Sequence, residues 1–209
     1  RLEGNINGNL QLVRGLVATL ATEPQMSQER WSRLASELFR QQSQLRNIAG
    51  APDFKVSLIY PVTGNEASLG LDYTTNPEQR VMAFRARDSR KLVLAGPVDL
   101  MQGGQGFIGR FPVFVGDRAP FAFWGIVSAV VDADRLYRDS GLLDPQHGLE
   151  IALRGEDGVG PAGRVFFGPA AVLDDQPVTA DVQLPGGSWQ ILARPRQGWG
   201  AALPDPGLF

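Results

Sequence analysis

The residues that most resemble a chemical motif form a glycine-rich segment at 104–109, which matches the pattern G-x-G-x-x-G. In dinucleotide-binding proteins these glycines open a helix, and the N-terminus of that helix holds the pyrophosphate. Here the next six residues read Arg-Phe-Pro-Val-Phe-Val, which is a strand pattern containing a proline. The segment therefore predicts a turn and a strand, and it argues against dinucleotide binding.

The remaining candidates for chemistry are one histidine and two small groups of acids. His147 lies in a predicted loop, and no G-x-S-x-G elbow accompanies it, so a catalytic triad is not indicated. The pairs Asp132/Asp134 and Asp174/Asp175 do not match a calcium-binding loop and are interpreted as acids of turns and helix caps. The chain has no cysteine, which excludes a thiolate nucleophile and a cysteine zinc site. We therefore predict no catalytic residue, no metal and no cofactor.

The composition argues against two classes of binding partner, nucleic acids and anionic membrane surfaces. The formal net charge is -2 with 43% hydrophobic and 20% charged residues, and the charges of both signs are interspersed. Without a basic stripe there is no electrostatic basis for binding nucleic acid or an anionic membrane surface. No apolar run approaches the roughly 20 residues that a transmembrane helix needs. Because the sequence starts at Arg1 and finishes on a helix-poor tail at 204–207, we expect a fragment of a longer protein.

The first predicted secondary-structure element of the chain is a helix. Its apolar residues recur three or four positions apart, close to heptad spacing. They are Leu2, Ile6, Leu10, Val13, Val17 and Leu20. Pattern alone leaves open whether this narrow seam packs inside the chain or against a second copy.

The next segments change periodicity from helix to strand. A second helix is predicted from an N-cap at Ser27 through Trp31 to Ile48. Alternating apolar residues then predict a strand at 54–62, and a returning strand is predicted at 68–73. The rest of the chain is again predicted as a helix followed by strands.

Asn76 and Pro77 give a favourable helix start, and that helix is predicted to end near Ser89. Seven strands are predicted after it, in two groups. They are 91–95, 106–115 and 121–131, then, after a short helix capped by Asp132, 149–153, 164–167, 178–184 and 188–193. This order predicts an α+β fold with a PAS-type sensor domain followed by a smaller strand-rich subdomain.

Several ordered segments resemble the CHASE domain, the extracytoplasmic sensor domain of bacterial histidine kinases, cyclic-di-GMP enzymes and plant cytokinin receptors. The resemblance is densest from Tyr60 to Asp132. It is carried by Leu-Asp at 71–72, Phe-Arg-Ala-Arg-Asp-Ser at 84–89, Leu-Val-Leu-Ala-Gly-Pro at 92–97, Gln-Gly-Gly-Gln-Gly-Phe at 102–107, Phe-Pro-Val-Phe at 111–114 and Phe-Trp-Gly-Ile-Val-Ser-Ala at 123–129.

The resemblance implies a long stalk helix and two PAS-like subdomains with antiparallel sheets. Residues 1–49 would form the N-terminal helices, 50–132 the membrane-distal ligand-binding subdomain and 133–203 the membrane-proximal one. It also implies a homodimer through the first helix, flanking transmembrane helices, and a periplasmic location on an inner-membrane protein with a kinase or cyclic-di-GMP output domain.

A pocket for an unidentified small molecule follows from the same resemblance, together with the aromatic and glycine content of the strands. The predicted ligand-binding residues are Tyr60, Leu71, Ala95, Gly96, Phe107, Gly109, Arg110, Phe111, Ile126 and Ala129. Cytokinin receptors place a pocket aspartate near the positions of Thr63 and Gly64, where this chain has no acid, which argues against adenine-type cytokinins.

Two other functions remain compatible with the sequence. The aromatic residues of the strands fill a core as readily as they line a pocket, so the chain could be a structural dimerisation module without a ligand. A periplasmic hydrolase that uses a pair of scattered carboxylates is the third alternative, because sequence does not show the distance between two acids.

Overall fold

The computed structural model describes residues 1–41 and 43–201. The predicted tail at 204–207 and the last two residues of the predicted second subdomain lie outside the described residues. Four helices are α1 (Leu2–Thr22), α2 (Gln28–Arg40), α3 (Pro77–Ser89) and α4 (Ala133–Asp139). Nine strands are β1 (Leu45–Pro52), β2 (Leu58–Tyr60), β3 (Val93–Asp99), β4 (Gln105–Val115), β5 (Ala122–Asp132), β6 (Leu149–Arg154), β7 (Val165–Phe167), β8 (Val178–Leu184) and β9 (Gly187–Pro195).

The strands form two antiparallel sheets. The first sheet has the order β2-β1-β5-β4-β3 and the second has the order β7-β6-β9-β8. The three-strand meander β3–β4–β5 and all four strands of the second sheet were predicted from sequence. The prediction of an α+β fold with a long N-terminal helix and two antiparallel sheets is confirmed.

The apolar seam of α1 packs inside the chain. Leu2, Ile6, Leu10 and Leu20 are at most 3% exposed and belong to one core cluster with β4 and β5. Asn9 lies within this seam, where its amide nitrogen donates to the Gln44 side chain at 2.7 Å. The seam therefore packs within the monomer, which is one of the two alternatives that the pattern left open.

The predicted extension of the second helix to Ile48 is wrong. Helix α2 ends at Arg40, and Leu45–Pro52 is the strand β1, hydrogen-bonded between β2 and β5. Strand β1 carries buried residues on both faces, so it has no alternating pattern to distinguish it from a buried helix. It also crosses the boundary predicted between residues 49 and 50.

The predicted strands at 54–62 and 68–73 are also corrected. The chain turns at Asp53 and Phe54, both with positive φ, and the strand β2 covers only Leu58–Tyr60. The segment 68–73 is not a strand: its first residue ends a short 3-10 helix at Glu66–Ser68, and the segment contributes a single bridge between Lys55 and Asp72. Asp72 accepts hydrogen bonds from the Thr74 backbone and hydroxyl, which stabilise a turn instead of a strand.

An aromatic cluster joins the two sheets. The ring of Phe107 in β4 lies 4.7 Å from Trp189 in β9 and 5.9 Å from Phe166 in β7. Phe107 and Trp189 are at most 1% exposed, and α1 contacts both sheets along the same core. Within the described residues, no helix has the length and apolar character needed to cross a membrane.

Candidate ligand-binding site

The first sheet has two differently covered faces. On β4, Phe107, Gly109 and Phe111 face α1, and a Cβ at Gly109 would lie 2.9 Å from a methyl carbon of Leu10. Because side chains alternate along a strand, Arg110 projects to the opposite face. Helix α3 covers that second face.

The contact between α3 and the sheet is made by small residues. Ala83 and Ala86 are fully buried and cluster with Ala51 of β1 and Ile126 of β5. Small side chains let the helix approach the sheet closely, so a polar group beneath it is shielded from water.

The predicted ligand-binding residues are divided between these faces. On the α1 side lie Tyr60, Phe107, Gly109, Phe111 and Ala129. On the α3 side lie Leu71, Ala95, Arg110 and Ile126. Gly96 lies at an irregularity of the β3–β4 pairing with φ 114°, where a Cβ would approach the Gly106 carbonyl oxygen. The ten residues therefore do not line one pocket.

Arg110 is the most unusual side chain of the α3 side. It is 4% exposed, and its buried Nε has no hydrogen-bond partner within the described residues. Burial lowers the pKa of the Arg110 guanidinium below its ordinary value, and the nearby Tyr73 and Asp157 oppose that shift. An arginine stays charged in proteins, so a cation is buried here without an ion pair among residues 1–41 and 43–201.

Three neutral polar groups lie in the same region. Ser128 is the cross-strand partner of Arg110, and the buried Tyr73 hydroxyl hydrogen-bonds to its Oγ at 3.1 Å. Burial raises the pKa of the Tyr73 phenol, which keeps Tyr73 neutral at physiological pH. Gln79 precedes Ala83 by one helical turn on α3, and its buried Oε1 also lacks a partner within the described residues. These polar groups form a patch in an otherwise apolar layer.

A cavity of ≈ 440 Å³ opens at the edge of this layer. It lies between the C-terminal part of α3, the edge strand β3 and the hairpin that joins β8 to β9. Its lining includes Val93, the cross-strand partner of Arg110, and Asp157 from the second sheet's loop. The cavity is thus lined by the cross-strand neighbour of Arg110 and by the acid whose charge acts on the Arg110 guanidinium.

The other chemical candidates have structural roles. Residues 105–109 belong to β4 and open no helix, so the G-x-G-x-x-G segment is not a dinucleotide loop. His147 ends a short 3-10 helix, and its Nδ1 accepts a hydrogen bond from the Leu149 amide at 3.0 Å. Asp132 caps α4 through the Arg135 amide, as predicted. Among the described residues, no group of acids or histidine is arranged to hold a metal.

Four residues of the region were missed by sequence reasoning. They are Tyr73, Gln79, Ser128 and Asp157. Ser128 is identifiable from the sequence, because it is the polar residue within the apolar run 126–131. The other three lie on a turn, a helix and a distant loop, and only the fold brings Tyr73 and Asp157 near Arg110 and buries the Gln79 Oε1.

Comparison with solved structures shows the fold. The extracellular ligand-binding receptor of Desulfohalobium retbaense DSM5692 matches with a TM-score of 0.68 at 15% identity, covering 92% of this chain but only 38% of that one. The ligand-binding domain of the Pseudomonas aeruginosa PAO1 amino acid chemoreceptor PctC, in complex with GABA, matches with a TM-score of 0.64 at 16% identity, over 91% of each chain. The sensor domain of the V. cholerae histidine kinase DctB matches with a TM-score of 0.52 at 11% identity, over 92% of each chain. No curated protein matches the sequence.

The family assignment comes from the sequence itself. The CHASE domain model matches residues 53–167, which is more than half of the 209-residue chain and contains β3, β4 and β5 together with the polar patch. The three solved structures are described as an extracellular ligand-binding receptor, a ligand-binding domain and a sensor domain. This chain belongs to the CHASE domain family and has the fold of sensor and ligand-binding domains of known structure.

Proposed function

We propose that this CHASE domain senses a small molecule carrying a carboxylate, and that Arg110 is the group that binds it. The observation that carries the proposal is the buried Arg110 on the α3 side of the first sheet, whose Nε has no hydrogen-bond partner and whose guanidinium has no salt bridge within residues 1–41 and 43–201. Removing a cation from water costs several kcal/mol unless an anion or further hydrogen bonds compensate. A bound carboxylate provides both, because the guanidinium fork matches its two oxygens.

The surrounding groups support a polar ligand rather than a purely apolar one. The Ser128 hydroxyl lies on the cross-strand partner of Arg110, and the neutral Tyr73 adds no competing negative charge. Small-ligand sites combine apolar walls with a few such orienting groups. The chemoreceptor PctC, which shares this fold, binds GABA, itself a carboxylate.

The arrangement of the receptor is also part of the proposal. Residues 50–132 would form the membrane-distal subdomain that binds the ligand, and residues 133–203 the membrane-proximal one. Flanking transmembrane helices would anchor the domain on the periplasmic side of an inner membrane, with a kinase or cyclic-di-GMP output domain beyond them. A ligand that prefers one of two helix arrangements by about 1–3 kcal/mol would transmit the signal.

A dimer through α1 requires a surface other than its buried seam. The opposite face presents Gly4, Gly8 and Gly15, with no neighbouring atom within 4 Å of a Cβ built at any of them. Close approach of two helices is possible along such small residues. Sedimentation of the fragment with Gly8→Leu, compared with the wild type, tests this part separately from ligand binding.

The function is tested by a thermal-shift screen of carboxylates, amines and purines. A ligand at 100 times its dissociation constant stabilises the fold by about 2.7 kcal/mol, which raises the melting temperature visibly. We expect carboxylates to shift the wild type and an Arg118→Gln control at an exposed turn, but not Arg110→Gln. Arg110→Lys, which keeps the charge without the fork, should retain a weaker shift.

Other outcomes identify the alternatives. No shift with any carboxylate would overturn the proposal and favour a dimerisation module that binds no ligand. Turnover of a compound in the screen would favour the carboxylate-dependent hydrolase.

A further inference from the structure

The cavity beside Arg110 has an uneven distribution of charge. One wall carries two cations, Arg85 from α3 and Lys91 just before β3, and the other wall carries one acid, Asp157. Within the described residues, neither cation forms a salt bridge, and both side chains are exposed. Two cations and one acid therefore line this space.

The acid on the opposite wall is already engaged. Asp157 Oδ1 accepts a hydrogen bond from the Gly96 amide at 2.7 Å, at the irregularity in β3. This hydrogen bond holds the loop against the edge strand, and the Asp157 charge acts on the Arg110 guanidinium. Within the described residues Asp157 forms no salt bridge with Arg85 or Lys91. The cations of the opposite wall are left to attract an incoming anion.

The dimensions suit a small ligand with two charged ends. A volume of ≈ 440 Å³ lies within the range of small-molecule sites. Val93, the cross-strand partner of Arg110, and Asp157, whose charge acts on the Arg110 guanidinium, both line the cavity. Arg85 and Lys91 line it as exposed residues. A molecule with anionic groups at both ends would satisfy the buried cation and the exposed pair together.

We propose that the ligand is a small dianion, with one carboxylate on Arg110 and the second anionic group between Arg85 and Lys91. This inference rests on the proposed function, because the first carboxylate is the one assigned to Arg110 there. The inference specifies that the ligand carries two negative charges, and it names Arg85 and Lys91 as the residues that select a dianion.

Calorimetric titration with a matched series of short-chain compounds tests the selection. Succinate and glutarate are dianions, butyrate is a monoanion and GABA is a zwitterion of similar length. Solvent-exposed ion pairs each contribute a few-fold in affinity, so we expect at least one of the two dianions to bind about tenfold more tightly than butyrate. GABA should bind more weakly than butyrate, and the preference for the dianion should fall in high salt.

Variants at the exposed wall provide the second half of the test. Arg85→Gln combined with Lys91→Gln should remove the preference for the dianion and leave the affinity for butyrate unchanged. Arg80→Gln, an exposed arginine of the same helix outside the cavity lining, is the matched control and should change neither affinity. Thermal melts of each variant confirm that it is folded.

The outcomes separate this inference from the proposed function. Butyrate that binds as tightly as both dianions, or a double variant that keeps its preference, overturns the dianion and leaves the carboxylate sensor standing. Binding of none of the four compounds, with no carboxylate found in the thermal-shift screen, overturns both.

Discussion

The Asp157 carboxylate accepts a 2.7 Å hydrogen bond from the Gly96 amide and so joins the loop after β6 to the edge strand of the first sheet. Asp157 has φ 60°, a left-handed conformation that aspartate and asparagine tolerate better than other non-glycine residues. Gly96 also has positive φ, and a Cβ there would lie 2.8 Å from the Gly106 carbonyl oxygen. Two residues with positive φ thus form this contact between the two sheets.

Substitution of Asp157 should separate its hydrogen bond from its charge. Asp157→Ala loses the acceptor and adds left-handed strain, so we expect a loss of about 1–3 kcal/mol in the free energy of unfolding. Asp157→Asn keeps an acceptor and the tolerance for positive φ, and it should cost clearly less. Urea denaturation of the two variants measures the difference, and equal losses would show that the hydrogen bond to Gly96 contributes nothing.

Phe107 and Arg110 should have opposite effects on stability and binding. Phe107 lies in the aromatic cluster between the sheets, so Phe107→Ala should cost about 3–5 kcal/mol of stability. The affinity of the Phe107→Ala variant for a carboxylate ligand, measured by calorimetry below the melting temperature of the variant, should stay unchanged.

Arg110→Gln is the complementary variant. Removal of a buried, unpaired charge should leave the fold as stable as before or more stable, while carboxylate binding is lost. A loss of binding in Phe107→Ala together with normal binding in Arg110→Gln would move the ligand to the α1 side of the sheet.

Gly125 in β5 should tolerate no side chain. It pairs with Pro52 of β1, and a Cβ would overlap the carbonyl oxygen of Ala51. We expect Gly125→Ala to lower the free energy of unfolding by more than about 3 kcal/mol, because backbone rather than a movable side chain is in the way. The control is Gly70→Ala, which also has positive φ but meets no atom within 4 Å and should lose only about 1 kcal/mol. Similar losses in the two variants would mean that the strand pair β1–β5 shifts to accommodate the methyl group.

The ion pair between Glu23 and Arg30 should make the α1–α2 junction sensitive to acid. Arg30 Nε and a terminal guanidinium nitrogen donate to the two Glu23 oxygens at 2.6 and 2.7 Å. The hydrogen bond from Arg30 lowers the pKa of Glu23 below its ordinary value of 4.5. A carboxyl with a lowered pKa in the folded state stabilises the fold above its unfolded value and loses that contribution as the pH falls through the folded value.

Glu23→Gln should therefore melt at a lower temperature than the wild type at pH 7. The difference should close as the pH falls below 4.5. Arg30→Gln should show the same pH dependence, and the double variant should be no worse than either single one. A difference in melting temperature that persists unchanged at pH 3 would contradict the ion pair as its cause.

Where local patterning was strong, the sequence alone determined the elements. Asn76 with Pro77 and Asp132 start helices in the structure as their residue types predict, because an N-cap needs only its own neighbours. Strands β4 and β5 follow from apolar runs joined by a turn at Gly116-Asp117, and the hairpin of β8 and β9 follows from the turn residues 185–187. The family was also readable, since the CHASE resemblance depends on ordered motifs within one stretch of chain.

Where a residue's role depends on distant partners, only the tertiary structure decided it. Strand β1 was mistaken for helix because it is buried on both faces, and its neighbour β5 lies about 80 residues along the chain. The predicted pocket residues separated onto two faces because β4 alternates, so Arg110 lies apart from Phe107 and Phe111. Burial without a partner makes Arg110 the candidate anchor, and burial depends on α3, β5 and the loop of Asp157 packing together.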